Sequence, residues 1–459
     1  MAFSSLILVA GEGTRMKSSR PKVTHKLLDK PMVRWVVDAA KQAGSKEIIS
    51  VVGFGREQVE PLLEDTTVVV QEDRMGTGHA VIMARPLLSA ADRPSSLVVL
   101  CGDAPLITPE TIELLVNYQQ KSVAAASMLT HMLDEPGLYG RVVRDECGDV
   151  ERIVEAKDAS DDELAIKECN SGAYCFDVKV LLECLDELTP NNAQGEYYLT
   201  DVIGICVDKG LAVKAYCVSA QEVQGINSRA QLAQATKDAQ MRINNRHMEA
   251  GVTMLDPDLV WIGPDVTLEN DVELLPLTML WGDTSVGSGS VLGPNTRVCD
   301  CVIGHDCVVD DSVLLESTLE DKVQCGPRAY LRPGTLMKTG SKAGTHVEIK
   351  NSTIGEGSKV PHLSYMGDAT LGKDVNIGAG SITCNYDGSK KSPTVIGDGT
   401  FVGSDTMMVA PVNLGSGVTT GAGSVITKDV PDDALALERC DQVIVPGWSE
   451  KHRKGIPHD

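Results

Sequence analysis

The chain of 459 residues predicts two successive folds, an α/β domain and then a β-solenoid. Two observations carry this. Over residues 3 to 225 apolar runs alternate with helical stretches, the pattern of an α/β unit. From residue 262 onward an aliphatic-Gly pair recurs in steps of six, a spacing no helical period produces. Six residues are three strand periods of two, so each coil can point its aliphatic residue inward and stack it on the coil below. Aromatics agree with this, at only 4% of the chain, as expected of a solenoid filled by Val, Ile and Leu. The length also exceeds the range of about 50 to 250 residues usual for one domain.

Taken in order, the apolar run Ser5 to Ala10 reads as a strand that ends in Gly11-Glu12-Gly13-Thr14-Arg15-Met16, followed by Pro21-Lys22. Glycines let the backbone approach a phosphate, and Arg15 and Lys22 add the cationic charge an anionic nucleotide requires. The segment is neither a Walker A motif nor a complete dinucleotide fingerprint, and taken alone it is more often a plain strand-to-helix turn. Pro31 to Ala43 reads as a helix and Glu47 to Val52 as a strand. Gln71 and the turn Gly76-Thr77-Gly78-His79 precede a long helical segment. Ser96 to Cys101, continuing into Gly102-Asp103, is a buried strand that ends in a carboxylate, where doubly wound folds place ligand and metal groups. Residues 228 to 250 read as one helix, with Ser228 as N-cap, Leu232, Ala235, Ala239 and Ile243 at helical spacing, and Gly251 past its end. This gives a domain 1–227, a linker helix 228–250, and a solenoid domain 251–459 that closes with the tail 451–459.

Within the solenoid, Ile262-Gly263, Val286-Gly287 and Leu292-Gly293 share one six-residue phase. Leu371-Gly372 and Ile377-Gly378 share a second, and Ile396-Gly397, Val402-Gly403 and Leu414-Gly415 a third. The step from Ile377 to Ile396 is one residue more than three six-residue edges. It predicts a protruding loop containing Cys384-Asn385-Tyr386-Asp387-Gly388, and loops on a rigid scaffold often carry function.

Composition excludes several classes. A net charge of −22 argues against nonspecific binding to nucleic acid or an anionic membrane, so any anionic substrate must be held by local cations. No apolar run approaches the roughly 20 residues of a membrane span, and no cleavable leader is expected, because Leu6 to Ala10 is short and has no basic stretch before it. A soluble, cytoplasmic protein is expected. Thirteen cysteines, an odd number without Cys-x-x-Cys, favour reduced thiols. Cys299-x-Cys301 with Cys307 is spaced too closely for a usual zinc site.

The order of these pieces, together with Tyr139-Gly140-Arg141, Glu155-Ala156-Lys157-Asp158, Asn170-Ser171-Gly172 and Gly225-Ile226-Asn227, resembles the sugar-nucleotide pyrophosphorylases, whose nucleotidyltransferase domain is Rossmann-like. The repeats resemble the left-handed parallel β-helix of hexapeptide-repeat acyltransferases. The whole chain resembles the family of bifunctional N-acetylglucosamine-1-phosphate uridylyltransferases and glucosamine-1-phosphate acetyltransferases.

That resemblance implies UTP, glucosamine-1-phosphate, N-acetylglucosamine-1-phosphate and acetyl-CoA as substrates, Mg²⁺ as cofactor, and a homotrimer. It implies that Leu8, Val9, Ala10, Gly11, Gln71, Gly76 and Thr77 hold the nucleoside, with Arg15 and Lys22 on the triphosphate as catalytic cations. Cys101 and Gly102 border the same site. Gly140, Glu155 and Asn170 bind the sugar, and Asp103 and Asn227 hold Mg²⁺. In the solenoid, His362 is the implied base, and Arg332, Lys350, Tyr365, Asn376 and Lys391 bind the sugar phosphate. Ala379, Asn385, Tyr386, Ser404, Ala422 and Arg439 line the acetyl-CoA path, at a site shared between neighbouring chains.

N-acetylation needs an uncharged amine, a base to take its proton, and cations for the phosphate; imidazole suits the first task. His79 and His25 fit packing roles better than catalysis. The chain departs from the family at Val9, Glu12, Cys101, Ser228 and Pro361. Glu12 is the most awkward, because a carboxylate beside a triphosphate is repulsive, and it is expected to point to solvent. Two other readings compete: a single-activity nucleotidyltransferase whose solenoid only oligomerises or binds a regulator, and a non-catalytic regulatory subunit. The second is expected to lose Lys22, Asp103 or Asn227, and all three are present.

Overall fold

A computed structural model describes residues 2–90 and 93–452. Most of the tail read as 451–459 therefore lies outside the described residues. The chain forms two compact units, Met1–Arg242 and Ile243–Asp459.

The first unit is built on a nine-stranded sheet. Its principal strands are β1 (Ser4–Val9), β2 (Ile48–Val52), β3 (Thr67–Val70), β4 (Ser96–Cys101), β5 (Ala126–Met132), β6 (Arg141–Arg144), β7 (Val150–Val154), β8 (Glu168–Asp177) and β9 (Val213–Cys217). The spatial order is β9-β5-β8-β4-β1-β2-β3, with β6 and β7 forming an appended hairpin on β8. β1, β2, β3 and β4 run parallel, and β8 is antiparallel to β4 and β5. The central strand β1 is apolar without alternation because both of its faces are covered. Leu6 joins one core with Ile49, Leu97 and Val99, while Ile7 and Val9 join the other with Val33, Val36 and Val98.

Helix α1 (Met32–Gln42) buries Met32, Val33, Val36, Val37 and Ala40, one stripe at 3.6-residue spacing. Each fully buried valine there contributes about 1.5–3 kcal/mol. Helix α2 (Thr77–Met83) is shorter than the sequence suggests, and a second short helix, Arg85–Leu88, with Pro86 in its first turn, follows it. Helix α3 (Pro109–Ser122) is capped by Thr108, whose hydroxyl accepts from the Thr111 N–H.

The helix expected at 228–250 is α4 (Arg229–Glu249). Ser228 Oγ accepts from the Gln231 N–H at 3.2 Å, as an N-cap does. The boundary between the two units falls inside α4, after Arg242. Arg242 Nη1 donates to the Leu106 carbonyl at 2.8 Å, and Asn244 Nδ2 donates to the carbonyls of Pro257 and Val260 at 2.8 and 2.9 Å.

The second unit is a parallel β-helix of three sheets, with 11, 10 and 9 strands. A six-residue step moves the chain one face onward. Ile262, Val286 and Leu292 therefore share a phase yet lie on the second, third and first sheets. Stacking follows the longer repeat: Leu280, Val298, Leu314, Leu331, Ile349 and Met366 form one inward column, each fully buried. The step from Ile377 to Ile396 does not span one coil. Ile377 stacks on Val402, whereas Ile396 lies on another face and stacks on Leu371. The lengthened coil carries the expected loop, which is closed by an antiparallel bridge from Tyr386 to Lys391. Among the described residues no helix is long and apolar enough to cross a membrane. All thirteen cysteines are free thiols. Cys301 and Cys307 point into the coil, where their thiols donate to the Cys299 and Glu320 carbonyls.

One buried histidine sets a pH limit. His247 is 6% exposed, its Nε2 has no hydrogen-bond partner, and burial, with Arg246 nearby, lowers its pKa to about 4. The folded chain keeps this ring neutral while the unfolded chain protonates it near pH 6.5. Its contribution is thus complete above pH 6.5 and is lost as pH falls toward about 4, on the order of 3 kcal/mol. Denaturant unfolding at pH 7 and pH 4.5 is expected to show a smaller loss of stability for His247→Leu than for the parent; equal losses would contradict it.

Candidate active site

The loop after β1 carries Gly11 to Met16. Gly13 has φ +70°, and a Cβ there would lie 2.5 Å from Lys22 Cβ, so the second glycine lets the loop pack on the segment that delivers Lys22. Lys22 Nζ forms an ion pair with Asp103 at the end of β4 and donates to Asn227 Oδ1 at 2.9 Å. Lys22 is only 11% exposed. Asn227 Nδ2 donates to the Gly225 carbonyl at 3.1 Å, and Tyr139 Oη donates to the same carbonyl at 3.4 Å. That carbonyl fixes the amide so that its oxygen faces the ammonium.

Two cavities adjoin at this pair. One, of about 490 Å³, is lined by Leu8, Val9, Ala10, Gly11, Lys22, Gln71, Gly76, Thr77, Cys101 and Asp103, with Glu12, Arg74 and Glu196 also at its wall. Gln71 Nε2 donates to the Gly76 carbonyl and to His79 Nδ1, and Thr77 Oγ1 accepts from the Leu199 N–H, so the turn is pinned at both ends. The other, of about 540 Å³, is lined by Arg15, Lys22, Cys101, Asp103, Tyr139, Gly140, Glu155, Asn170 and Asn227. Asn170 is oriented by Tyr174 Oη at 2.7 Å and the Gly172 N–H at 3.1 Å. Burial raises the Glu155 pKa, against one hydrogen bond from Thr200. Cys101 is half-buried at the wall of both cavities; its thiol, pushed up to about 12 chiefly by desolvation, donates to the Gly172 carbonyl.

In the β-helix, Tyr330, Glu348 and Tyr365 stack on the outer face of the second sheet, and Lys350 pairs with Gly367 at the far end of those strands. Arg332 pairs with Glu348 at 2.8 Å. The Lys350 pKa is lowered by the neighbouring Lys391, with Arg332 adding to it, the mark of cations gathered without enough counter-charge. Asp368 accepts from Asn351 and Asn385 at 2.6 and 2.5 Å, and beside it a cavity of about 420 Å³ takes Lys391 into its wall.

His362 ends the strand Lys359–His362, at the corner between the first and second sheets. It is exposed, and among the described residues its ring makes no hydrogen bond. His362, Ala379, Ser404 and Ala422 follow one another up this corner, through Gly380 N–H to His362 O, Asp405 N–H to Ala379 O and Gly423 N–H to Ser404 O.

Residues 5–163 match the MobA-like NTP transferase domain family, and residues 393–428 match the bacterial transferase hexapeptide repeats. The chain is 47% identical over 454 residues to the "Bifunctional protein GlmU" of Heliobacterium modesticaldum, covering 98% of this chain and 99% of that protein. It is 49% identical over 451 residues to the "Bifunctional protein GlmU" of Caldanaerobacter subterraneus subsp. tengcongensis, covering 98% of each. The chain belongs to the bifunctional GlmU family.

In this GlmU-family chain the β-helix is accordingly the left-handed, hexapeptide-repeat kind. The structure brings Lys22, Asp103 and Asn227 together from three distant segments. Asp103 and Asn227 direct two hard oxygens at one point held by an ammonium, so the donor set fits a small divalent cation that takes its other ligands from phosphates and water. Gly102 lines neither cavity; a Cβ there would sit 2.3 Å from Val9 Cγ1, so this glycine seats β4 against β1. Glu12 is paired with Arg74 at 2.9 Å, a correction to the expectation that it simply faces solvent.

In the β-helix the sites are spread over two faces. Asn376 begins a strand of the first sheet, whereas Arg332, Lys350 and Tyr365 occupy the second. Tyr386 is exposed on its loop, and Arg439 follows the last strand, Leu435–Ala436, on an exposed segment. Pro361 leaves His362 in register with Thr345.

Sequence reasoning missed Arg74 and Glu196 at the wall of the first cavity, and Gly367, because each is placed by contacts distant in sequence. Gly367 is the clearest. A Cβ there would lie 2.3 Å from Tyr365 Oη and 2.7 Å from Asn385 Nδ2, so its missing side chain is the notch these two groups occupy. Gly367→Ala should displace Tyr365 and lower acetyl transfer by roughly tenfold, with uridylyl transfer intact. Unchanged acetylation kinetics would remove Tyr365 from the site.

Proposed function

We propose that the paired cavities around Lys22 and Asp103 are the uridylyltransferase centre, and that the second-sheet face with the His362 corner is the acetyltransferase centre. The bifunctional enzyme makes UDP-N-acetylglucosamine. Acetyl is transferred from acetyl-CoA to glucosamine-1-phosphate, and N-acetylglucosamine-1-phosphate then reacts with UTP, releasing pyrophosphate.

The observation that carries the first assignment is the meeting of two cavities at one Lys–Asp–Asn cluster. The nucleoside belongs beside Gln71, Gly76 and Thr77, and the sugar beside Gly140, Glu155 and Asn170. The sugar phosphate oxygen attacks the α-phosphorus of UTP, and pyrophosphate leaves from the opposite side. The nucleophile is already an anion, so the site must neutralise charge and align the reactants, and needs no general base. Lys22 supplies one cation at the junction, and Arg15 a second from the sugar side. Asp103 and Asn227 would hold Mg²⁺, which neutralises phosphate charge when bound.

In the second reaction the amine attacks the thioester carbonyl. His362 takes the proton of the amine, and the carbon–sulfur bond breaks to release coenzyme A. Arg332, Lys350 and Lys391 seat the phosphate, and the corner bearing Ala379, Ser404 and Ala422 guides the coenzyme with Asn385, Tyr386 and Arg439. The division of Asn376 from Arg332 and Lys350 between two faces supports a homotrimer in which neighbouring chains complete each site. The absence of a membrane-spanning helix among the described residues fits a cytoplasmic enzyme acting on soluble substrates.

Purified chain incubated with acetyl-CoA, glucosamine-1-phosphate, UTP and Mg²⁺ tests the assignment. UDP-N-acetylglucosamine should form, and omission of acetyl-CoA should stop it unless N-acetylglucosamine-1-phosphate is supplied. Product formed from glucosamine-1-phosphate and UTP without acetyl-CoA would contradict the order.

A further inference from the structure

We infer that Arg74 is a binding residue for the triphosphate of the nucleotide, held in reserve by Glu12. The inference rests on reading the first cavity as the nucleotide site. Five charged side chains line that cavity: Glu12, Lys22, Arg74, Asp103 and Glu196. Three are carboxylates, so this lining is a poor host for an anion unless its cations are released to the ligand. Lys22 is already engaged on two sides, by Asp103 and by Asn227 Oδ1 at 2.9 Å. Arg15 lines the neighbouring sugar-side cavity. Arg74 is the remaining cation.

Its position favours exchange. Arg74 stands on the loop after β3 and Glu12 on the loop after β1. Their side chains meet at 2.9 Å, with each about half exposed, at 47% and 44%. The guanidinium carbon lies 5.6 Å over the centre of the Phe54 ring, a platform that holds its plane at the wall without using its N–H donors. An exposed guanidinium–carboxylate pair is weakly bound because water solvates both partners well when they part. A phosphate offers the same fork a more highly charged, bidentate acceptor. On nucleotide entry Arg74 therefore turns from Glu12 to a phosphate oxygen, and the Glu12 carboxylate returns to water. This also accounts for a carboxylate tolerated next to a phosphate loop. Glu12 is neutralised until the ligand arrives, and it tempers affinity so that the product can leave.

Binding of UTP and of uridine to the full chain, measured by titration calorimetry, separates the electrostatic role from a structural one. The variants are Arg74→Gln, Glu12→Gln and the double substitution. Arg74→Gln should weaken UTP about 3- to 10-fold and reduce the salt dependence of binding, while Glu12→Gln should tighten UTP about 2- to 5-fold. The double variant should fall between them, and uridine, which has no phosphate, should bind all four proteins alike. Arg74→Gln that left UTP affinity unchanged, or weakened uridine equally, would overturn the inference, as would weaker UTP binding by Glu12→Gln. A parent chain that bound no UTP would instead overturn the nucleotide reading itself.

Discussion

Asp103→Ala is expected to lower uridylyl transfer by about 10²- to 10³-fold or more while acetyl transfer stays near the parent rate. The carboxylate forms the ion pair with Lys22 and supplies one of the two hard oxygens that converge there. Its removal leaves Lys22 without its principal partner and strips the junction of its only carboxylate shared by both cavities. The fold has little reason to fail, because the Asp103 carbonyl accepts from the Ile226 N–H at 2.8 Å through the backbone, which alanine preserves. Pyrophosphate release from UTP and supplied N-acetylglucosamine-1-phosphate, set against free coenzyme A thiol from the acetyl reaction, reads the two activities separately. If both fall together in a folded variant, the chain does not hold two independent sites.

Much of the fold was legible because it depends on local period. The six-residue aliphatic repeat marked inward residues of the solenoid, and Ile262, Leu280 and Val298 stack as such a repeat requires. Long apolar runs such as Ser4–Val9 declared strands buried on both faces. The site was legible where a motif concentrates the chemistry: Gly11 to Lys22, the strand that ends at Asp103, and Gly225 to Asn227 all reach one point.

What stayed hidden depends on tertiary neighbours. No pattern in the sequence connects Glu12 to Arg74, which meet only because β1 and β3 flank β2. Nor does anything local distinguish Gly367, whose role is the space it leaves for Tyr365 and Asn385. The length of the insertion after Ile377 escaped for another reason. The inserted loop adds residues to that coil, and counting in sixes past an insertion assigns the wrong face.

His362→Ala is expected to lower acetylation by about 10² to 10⁴-fold, the usual cost of removing a general base. The geometry makes this substitution unusually easy to interpret. His362 is exposed and its ring makes no hydrogen bond among the described residues, so alanine removes neither packing nor a buried partner. Its carbonyl still accepts from Gly380, and the strand still pairs with the coil beneath it. A large loss would therefore belong to the chemistry. Acetyl-CoA affinity, measured by calorimetry, should persist because the proposed coenzyme contacts are other residues of the corner and loop, and uridylyl transfer on supplied N-acetylglucosamine-1-phosphate should be unchanged. A variant that acetylates within about threefold of the parent, far short of a base's usual contribution, would leave His362 a surface residue. The proton acceptor would then have to be sought elsewhere on the two faces that Asn376 and Lys350 mark.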